Sequence, residues 1–238
     1  MYDFTPLWPD GPSFTQSEHF RLSTDSILLA DFINITGAKR GIDLGCGSGI
    51  ISLLLLWRSK KLSMTGLEIN PEAAELAAAN MAENGLCGRA DIITGDIRLH
   101  RGLFRAGSFD LVTANPPYFP ENSGMMSPKG DRAAARGELQ CTLKDLCTAS
   151  AFLLKTGGSF CIVHRSERLS ELLCTMSGCG IEPKRLRLVQ YRLASAPSLV
   201  LVEGRRGGKP GLKIEPVLIL SDENGEETEE YRRIYHLL

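Results

Sequence analysis

Gly41-Ile42-Asp43-Leu44-Gly45-Cys46-Gly47-Ser48-Gly49-Ile50 decides the fold: an apolar strand runs into three closely spaced glycines and then into a helical pattern whose apolar run ends at Trp57. Glycines let a backbone approach a ligand closely, and the helix N-terminus that follows offers unpaired N–H groups. Outward from this unit, apolar runs alternate with helical patterns, which is the signature of a parallel sheet built from βαβ units. Strands are expected near 40–45, 63–69, 90–95, 108–114 and 158–164, and helices near 48–59, 71–84, 138–154 and 167–178. Asn70 before Pro71 reads as an N-cap with proline at the first helical position, and Asn84-Gly85 stops that helix. Gly157-Gly158 is expected to close the helix ahead of the strand Ser159–His164. Lys184–Tyr191 and Pro197–Gly204 are joined by a link too short for a parallel crossover, so an antiparallel hairpin is expected. The expected fold class is α/β, with seven strands (five parallel and a terminal antiparallel hairpin) and helices on both faces.

The 238 residues suffice for one sizeable core, and a single domain over 1–238 is expected: a short lead (1–36), a core (37–220) and an acidic tail (221–238). Formal net charge is -1, which excludes a global electrostatic case for nucleic acid and directs attention to local clusters. The seven cysteines form no C-x-x-C pair, so reduced thiols are expected and no metal site. The opening Met1–Pro6 lacks the basic and apolar regions of a signal peptide, and the run from Gly49 to Trp57 falls far short of the ~20 residues that span a bilayer. A cytoplasmic protein with no membrane partner is expected.

Three acids stand where open α/β sheets bind ligands, at the carboxyl ends of successive strands. Asp43 precedes the first glycine by two residues, Glu68 ends Met64-Thr65-Gly66-Leu67-Glu68, and Asp96 follows Ile92-Ile93-Thr94-Gly95. Each alone fits a solvated strand end; together they fit a ligand with a ribose, an adenine and positive charge. A pyrophosphate would gain nothing from an anion at Asp43, whereas a cationic amine and sulfonium would. After the fourth strand comes Asn115-Pro116-Pro117-Tyr118. Two prolines fix the backbone and leave carbonyls without neighbouring donors. A planar amino group can then donate one N–H to the Asn115 side-chain oxygen and the other to the Pro116 carbonyl, with Tyr118 offering a stacking face. Two acceptors holding the N–H bonds out of plane return lone-pair density to a conjugated nitrogen and stabilise the charge that grows as it attacks.

This ordered set resembles the class I S-adenosylmethionine-dependent methyltransferases, whose sheet is the Rossmann-like seven-stranded one. The resemblance implies S-adenosyl-L-methionine as cofactor, with Asp43 near the methionine amine, Glu68 on the ribose, and Asp96 with the Ile97 backbone at the adenine. Gly45, Cys46, Gly47, Gly49, Ile69 and Asn115 complete the expected cofactor set. Asn115, Pro116, Pro117 and Tyr118 form the expected catalytic turn for an exocyclic amino nitrogen. The tetrapeptide is shared by families that modify adenine N6, guanine N2 and protein glutamine.

The whole chain is similar to the tRNA1(Val) adenine-37 N6-methyltransferase family. The similarity is carried by Thr24-Asp25-Ser26-Ile27-Leu28-Leu29, Asn115-Pro116-Pro117-Tyr118, Ala135-Arg136-Gly137-Glu138, and Ile162-Val163-His164-Arg165 with Glu167-Arg168-Leu169. It implies Thr24 over the methionyl end of the cofactor; alternatively, Thr24-Asp25 caps a helix over 26–34. A tRNA partner is expected through Lys129, Arg132 and Arg136, and through the segment 184–213. That segment holds Lys184, Arg185, Arg187, Arg192, Arg205, Arg206, Lys209 and Lys213 against the single acid Glu203. A solvated hairpin face is the plainer alternative for it. Protein glutamine N5-methylation lacks the helical N-terminal domain usual for that activity, and rRNA guanine N2 remains a further alternative. A scaffold subunit would not need the intact acids. No histidine is given a catalytic role, and His164, in an apolar strand, reads as core.

Overall fold

The computed structural model describes residues 2–17, 22–117 and 141–237. In chain order the elements are β1 (Thr5–Pro6), β2 (Ser13–Phe14), α1 (Thr24–Phe32), β3 (Arg40–Leu44), α2 (Ile50–Arg58), β4 (Ser63–Glu68), α3 (Pro71–Glu83) and β5 (Ala90–Thr94). There follow a 3-10 turn (Ile97–Leu99), α4 (His100–Leu103), β6 (Phe109–Ala114), α5 (Leu143–Leu153) and β7 (Leu154–Arg165). The chain continues with a second 3-10 turn (Ser166–Arg168), α6 (Leu169–Gly178), β8 (Ile181–Arg192), β9 (Leu199–Arg206), β10 (Lys213–Ile214), β11 (Leu218–Ser221) and α7 (Glu229–Ile234).

The main sheet runs β5-β4-β3-β6-β7-β9-β8, with β10 and β11 both parallel to β8. The first five strands are parallel, and β9 lies antiparallel between β7 and β8. This is the expected arrangement of five parallel strands and a hairpin. The described sheet has nine strands, however, not seven. The two extra strands pair the outer edge of the long β8, and they are too short for their alternation to be read from sequence: only Leu218 and Leu220 of β11 point inward.

Two apolar clusters cover the two faces. One joins the sheet to α1 and α2 and takes in Ile234 of α7; the other joins it to α5 and α6. In β9, Leu199 and Leu201 belong to the first cluster and Val200 and Val202 to the second. That strand is buried on both faces and so reads as a continuous apolar run. The acidic segment after Ser221 turns and enters α7. Thr228 caps α7 by accepting from the Tyr231 N–H, and Glu230 takes both guanidinium nitrogens of Arg187 at 2.8 Å.

Boundaries shift where side chains cap helices. Asn70 accepts from Glu72 and Ala73 at the start of α3, as expected. The helix expected from 138 starts at Leu143, because Thr142 and Asp145 form a capping box there. It also ends before Gly157-Gly158: β7 begins at Leu154, and the glycines absorb a register break between the Phe109 and Leu111 pairings.

Candidate active site

Strand register brings the functional residues to one edge. Asp43 sits opposite both Gly66 and Thr113, and Glu68 opposite Thr94. The turn after β3, Asp96 after β5 and Asn115 after β6 therefore crowd the same carboxyl end. Gly45 and Gly47 adopt φ 73° and 54°, and a Cβ on either would meet no atom within 4 Å. The turn is an open cradle that only glycine forms without strain. The Gly45 and Cys46 N–H groups donate to the Leu67 carbonyl at 2.8 and 3.2 Å. Gly66 makes room for Cys46, since a Cβ there would lie 2.7 Å from Sγ. Gly49, at φ 83°, packs its Cα face on Ala77 and Met81 of α3.

Glu68 is nearly buried and braces this turn: one carboxylate oxygen accepts from the Gly47 N–H and the other from the Asn70 N–H, both at 2.9 Å. Each oxygen keeps a second lone pair. Ile69, next to it, is 43% exposed, an apolar side chain turned to solvent at the sheet edge. Asp96 caps the 3-10 turn of Ile97 through the Arg98 N–H at 2.8 Å and holds the Arg98 guanidinium at 2.6 Å. That hydrogen bond keeps its carboxyl below the ordinary value.

Asp43, expected near the methionine amine, is enclosed in the interior. It has no exposed surface, and its oxygens accept from the Thr113 hydroxyl at 2.8 Å and, more weakly, from Ser52 at 3.5 Å. Burial pushes its carboxyl up to about 7, against the Thr113 bond, which lowers it, and with the nearby Glu68 charge, which raises it. Thr24 likewise is not the cap. Ser23 is the N-cap of α1, which spans 24–32 rather than 26–34, and Thr24 lies against the buried Tyr235 hydroxyl.

Asn115 and Pro116 are half-buried and Pro117 is exposed. Asn115 Nδ2 donates to Ser26 Oγ at 2.9 Å and lies 3.3 Å from Ser23 Oγ. Tyr118, Lys129, Arg132, Arg136 and the stretch Ala135–Glu138 lie outside the described residues. His164 is buried, accepts from the Arg165 N–H through Nδ1, and is held below its ordinary pKa by burial.

Several roles were missed from sequence: those of Ser23, Ser26, Ser52, Thr113, Asn80 of α3 and Asn84 at its C-cap. Asn80, fully buried, accepts from the Thr15 N–H at 2.8 Å and donates to the Thr15 and Ser48 carbonyls at 3.0 and 2.9 Å. Asn84, one turn on, brackets Ser13 in the same way. They clip the N-terminal segment to the glycine turn. A pair of asparagines four apart on an alanine-rich helix was the available signal.

The basic stretch of the β8–β9 hairpin is largely consumed inside the protein. Arg185 pairs with Glu203 and Glu215 and stacks 3.8 Å over the Phe32 ring. Arg187 pairs with Glu230, Arg205 with Glu203, and Arg206 donates to the Leu154 carbonyl. Arg205 also lies opposite Ser159, level with Leu111 and Gly41, toward the strand starts. These four of the eight basic residues in 184–213 are thus engaged within the protein. The excess of basic residues in 184–213 is balanced in part by acids that follow it in the chain.

Residues 19–175 match the family model described as methyltransferase small domain. The chain belongs to this family. Among its relatives, a protein named tRNA1(Val) (adenine(37)-N6)-methyltransferase from Flavobacteriaceae bacterium strain 3519-10 is 33% identical, over 74% of this chain and 80% of its own length. One of the same name from Tolumonas auensis is 31% identical, over 89% and 86%. The fold is shared with a solved structure described as a predicted O-methyltransferase from Agrobacterium tumefaciens: TM-score 0.73 and 19% identity, over 90% of this chain and 96% of that one. It is also shared with geranyl diphosphate methyltransferase in complex with GPP and sinefungin, with TM-score 0.55 and 14% identity over 76% and 77%. This methyltransferase small domain has, among its described residues, no helix long and apolar enough to cross a membrane.

Proposed function

We propose that the chain, acting as a single domain in the cytoplasm, transfers a methyl group from S-adenosylmethionine to adenine N6 in transfer RNA, at a site of the position-37 type. The observation that carries this reading is Asn115, followed by two prolines and held by its amide at the same sheet edge as the open glycine cradle. The names borne by its relatives point to the same substrate.

The residues present fit the donor, which supplies an electrophilic methyl on a sulfonium. Gly45 and Gly47 let the backbone approach it, and Glu68 offers its remaining lone pairs to ribose hydroxyls while still bracing Gly47. Ile69 and Ile97 would hold an adenine, and Asp96, already paired with Arg98, would accept from its amino group. Asp43 acts through the interior rather than by contact: a bound cation would favour its charged form. On the acceptor side, Asn115 Oδ1 and the Pro116 carbonyl accept the two N–H bonds of the substrate amino group and stabilise the positive charge it acquires. Pro117 fixes the turn and Tyr118 supplies the stacking face. No strong base is needed, since a methylated ammonium conjugated to a ring is acidic and loses its proton to water.

For the RNA, Arg192 at the end of β8 is the hairpin cation best placed. The pairing of Val189 with Leu199, and of Leu199 with Arg165, puts it beyond the level of Arg165 at the carboxyl edge. Lys129, Arg132 and Arg136 keep their expected role as phosphate contacts. The test is partition of a labelled methyl group between bulk unmodified transfer RNA and total protein. Label in the RNA is expected, and label confined to protein would overturn the substrate in favour of a glutamine amide.

A further inference from the structure

Ser26 lies in the first turn of α1 and is 6% exposed. Its Oγ accepts from Asn115 Nδ2 at 2.9 Å and lies 3.0 Å from Ser23 Oγ, which in turn accepts the Ser26 backbone N–H at 3.3 Å. With Asn115 Nδ2 as the donor, a Ser26 lone pair faces the amide, and the Ser26 hydroxyl proton can go to Ser23 Oγ. A carboxamide is planar, with donors on one branch and the acceptor on the other. Holding Nδ2 against the serines therefore turns Oδ1 to the opposite side. A flipped amide would present N–H groups to the substrate's own N–H groups, and the acceptor needed for activation would be lost.

We propose that the Ser26 hydroxyl is a positioning residue: it anchors the Asn115 amide nitrogen so that Oδ1 accepts from the reacting amino nitrogen. This rests on the reading of Asn115 given above. Ser23, not Ser26, is the helix cap, and it still accepts the Ser26 backbone N–H when the Ser26 hydroxyl is removed. Removing Oγ leaves Nδ2 with the longer 3.3 Å contact to Ser23.

Ser26→Ala is expected to lower kcat about tenfold, the effect of one hydrogen bond lost in the transition state. Cofactor affinity and the KM for RNA should stay within about twofold of wild type, and Ser26→Thr, which keeps the hydroxyl, should restore most of kcat. The deciding readout is a double-mutant cycle: in an Asn115→Ala background, Ser26→Ala should cost nothing further. An equal loss in both backgrounds, or wild-type kcat in Ser26→Ala alone, would overturn the proposal. Absence of any transfer to RNA by the wild type would instead defeat the functional reading. The positioning claim is then decided by proton exchange at the Asn115 side-chain amide in 15N-labelled protein. Slow exchange in wild type and fast exchange in Ser26→Ala supports it, and equal exchange in the two overturns it.

Discussion

At the cofactor end, Gly47 is braced by Glu68 from 21 residues away, across neighbouring strands; at the acceptor end, Asn115 is held by Ser26 and Ser23 from 89 and 92 residues away. The first end is the product of a strand–turn–helix unit and its neighbour, so local sequence specifies it. The second is assembled only when the N-terminal segment folds back onto the sheet. Affinity for the donor should thus reside in the glycine turn and its brace, and turnover in Asn115 and the helix that orients it. Asn80 is the link between the two, because it binds the N-terminal segment and the glycine turn with one amide.

The largest effect should come from the acceptor end. Asn115→Ala is expected to lower kcat about 10³-fold, the order seen when one donor or acceptor to a developing charge is removed, while calorimetry finds donor affinity within about twofold of wild type. Gly47→Ala should do the reverse: positive φ and a Cβ in the cradle reduce donor affinity about tenfold or more, and kcat at saturation stays near wild type. Next, Asn80→Ala leaves the Thr15 N–H and the Ser48 carbonyl unpaired inside the protein. A loss of about 2–3 kcal/mol in denaturant unfolding is expected, with both affinity and turnover reduced.

A subtler separation uses Asp43. Its folded pKa, about 7, stands above the ordinary 3.8, so its contribution to stability is full below pH 4 and lost as pH rises through 7. Melting temperature should fall between pH 5 and 8 in wild type more than in Asp43→Asn, and equal slopes would remove Asp43 from the account. Donor binding near pH 7 should also release a proton, because a cation favours the charged form. Calorimetric heats should then vary with buffer ionisation enthalpy. The smallest effect belongs to the opposite edge of the sheet: Lys184→Glu, Lys209→Glu and Lys213→Glu are each expected to change the KM for RNA less than twofold, while Arg192→Glu raises it.

The glycine turn, the parallel strands and the hairpin were legible because periodicity, caps and turn residues act over a few residues. Glu68, Asp96 and Asn115 were legible for a related reason: each follows a strand whose end is marked by its own pattern. Their actual partners were not. No local rule announces that Arg187 meets Glu230 or that Asp96 holds Arg98 as well as capping its turn, and the charge of 184–213 read in isolation overstated what reaches the surface. Ser26 was hidden inside Thr24-Asp25-Ser26-Ile27, where attention falls on the threonine and the cap. The two edge strands beside β8 carry too few residues to show a period.

The most direct measurement is nucleoside mass spectrometry of bulk unmodified transfer RNA after incubation with the wild-type protein and S-adenosylmethionine. The account predicts N6-methyladenosine as the new nucleoside. A methyl group on a ring nitrogen or a ribose oxygen, neither of which carries the two N–H bonds that Asn115 and Pro116 are arranged to accept, would contradict it.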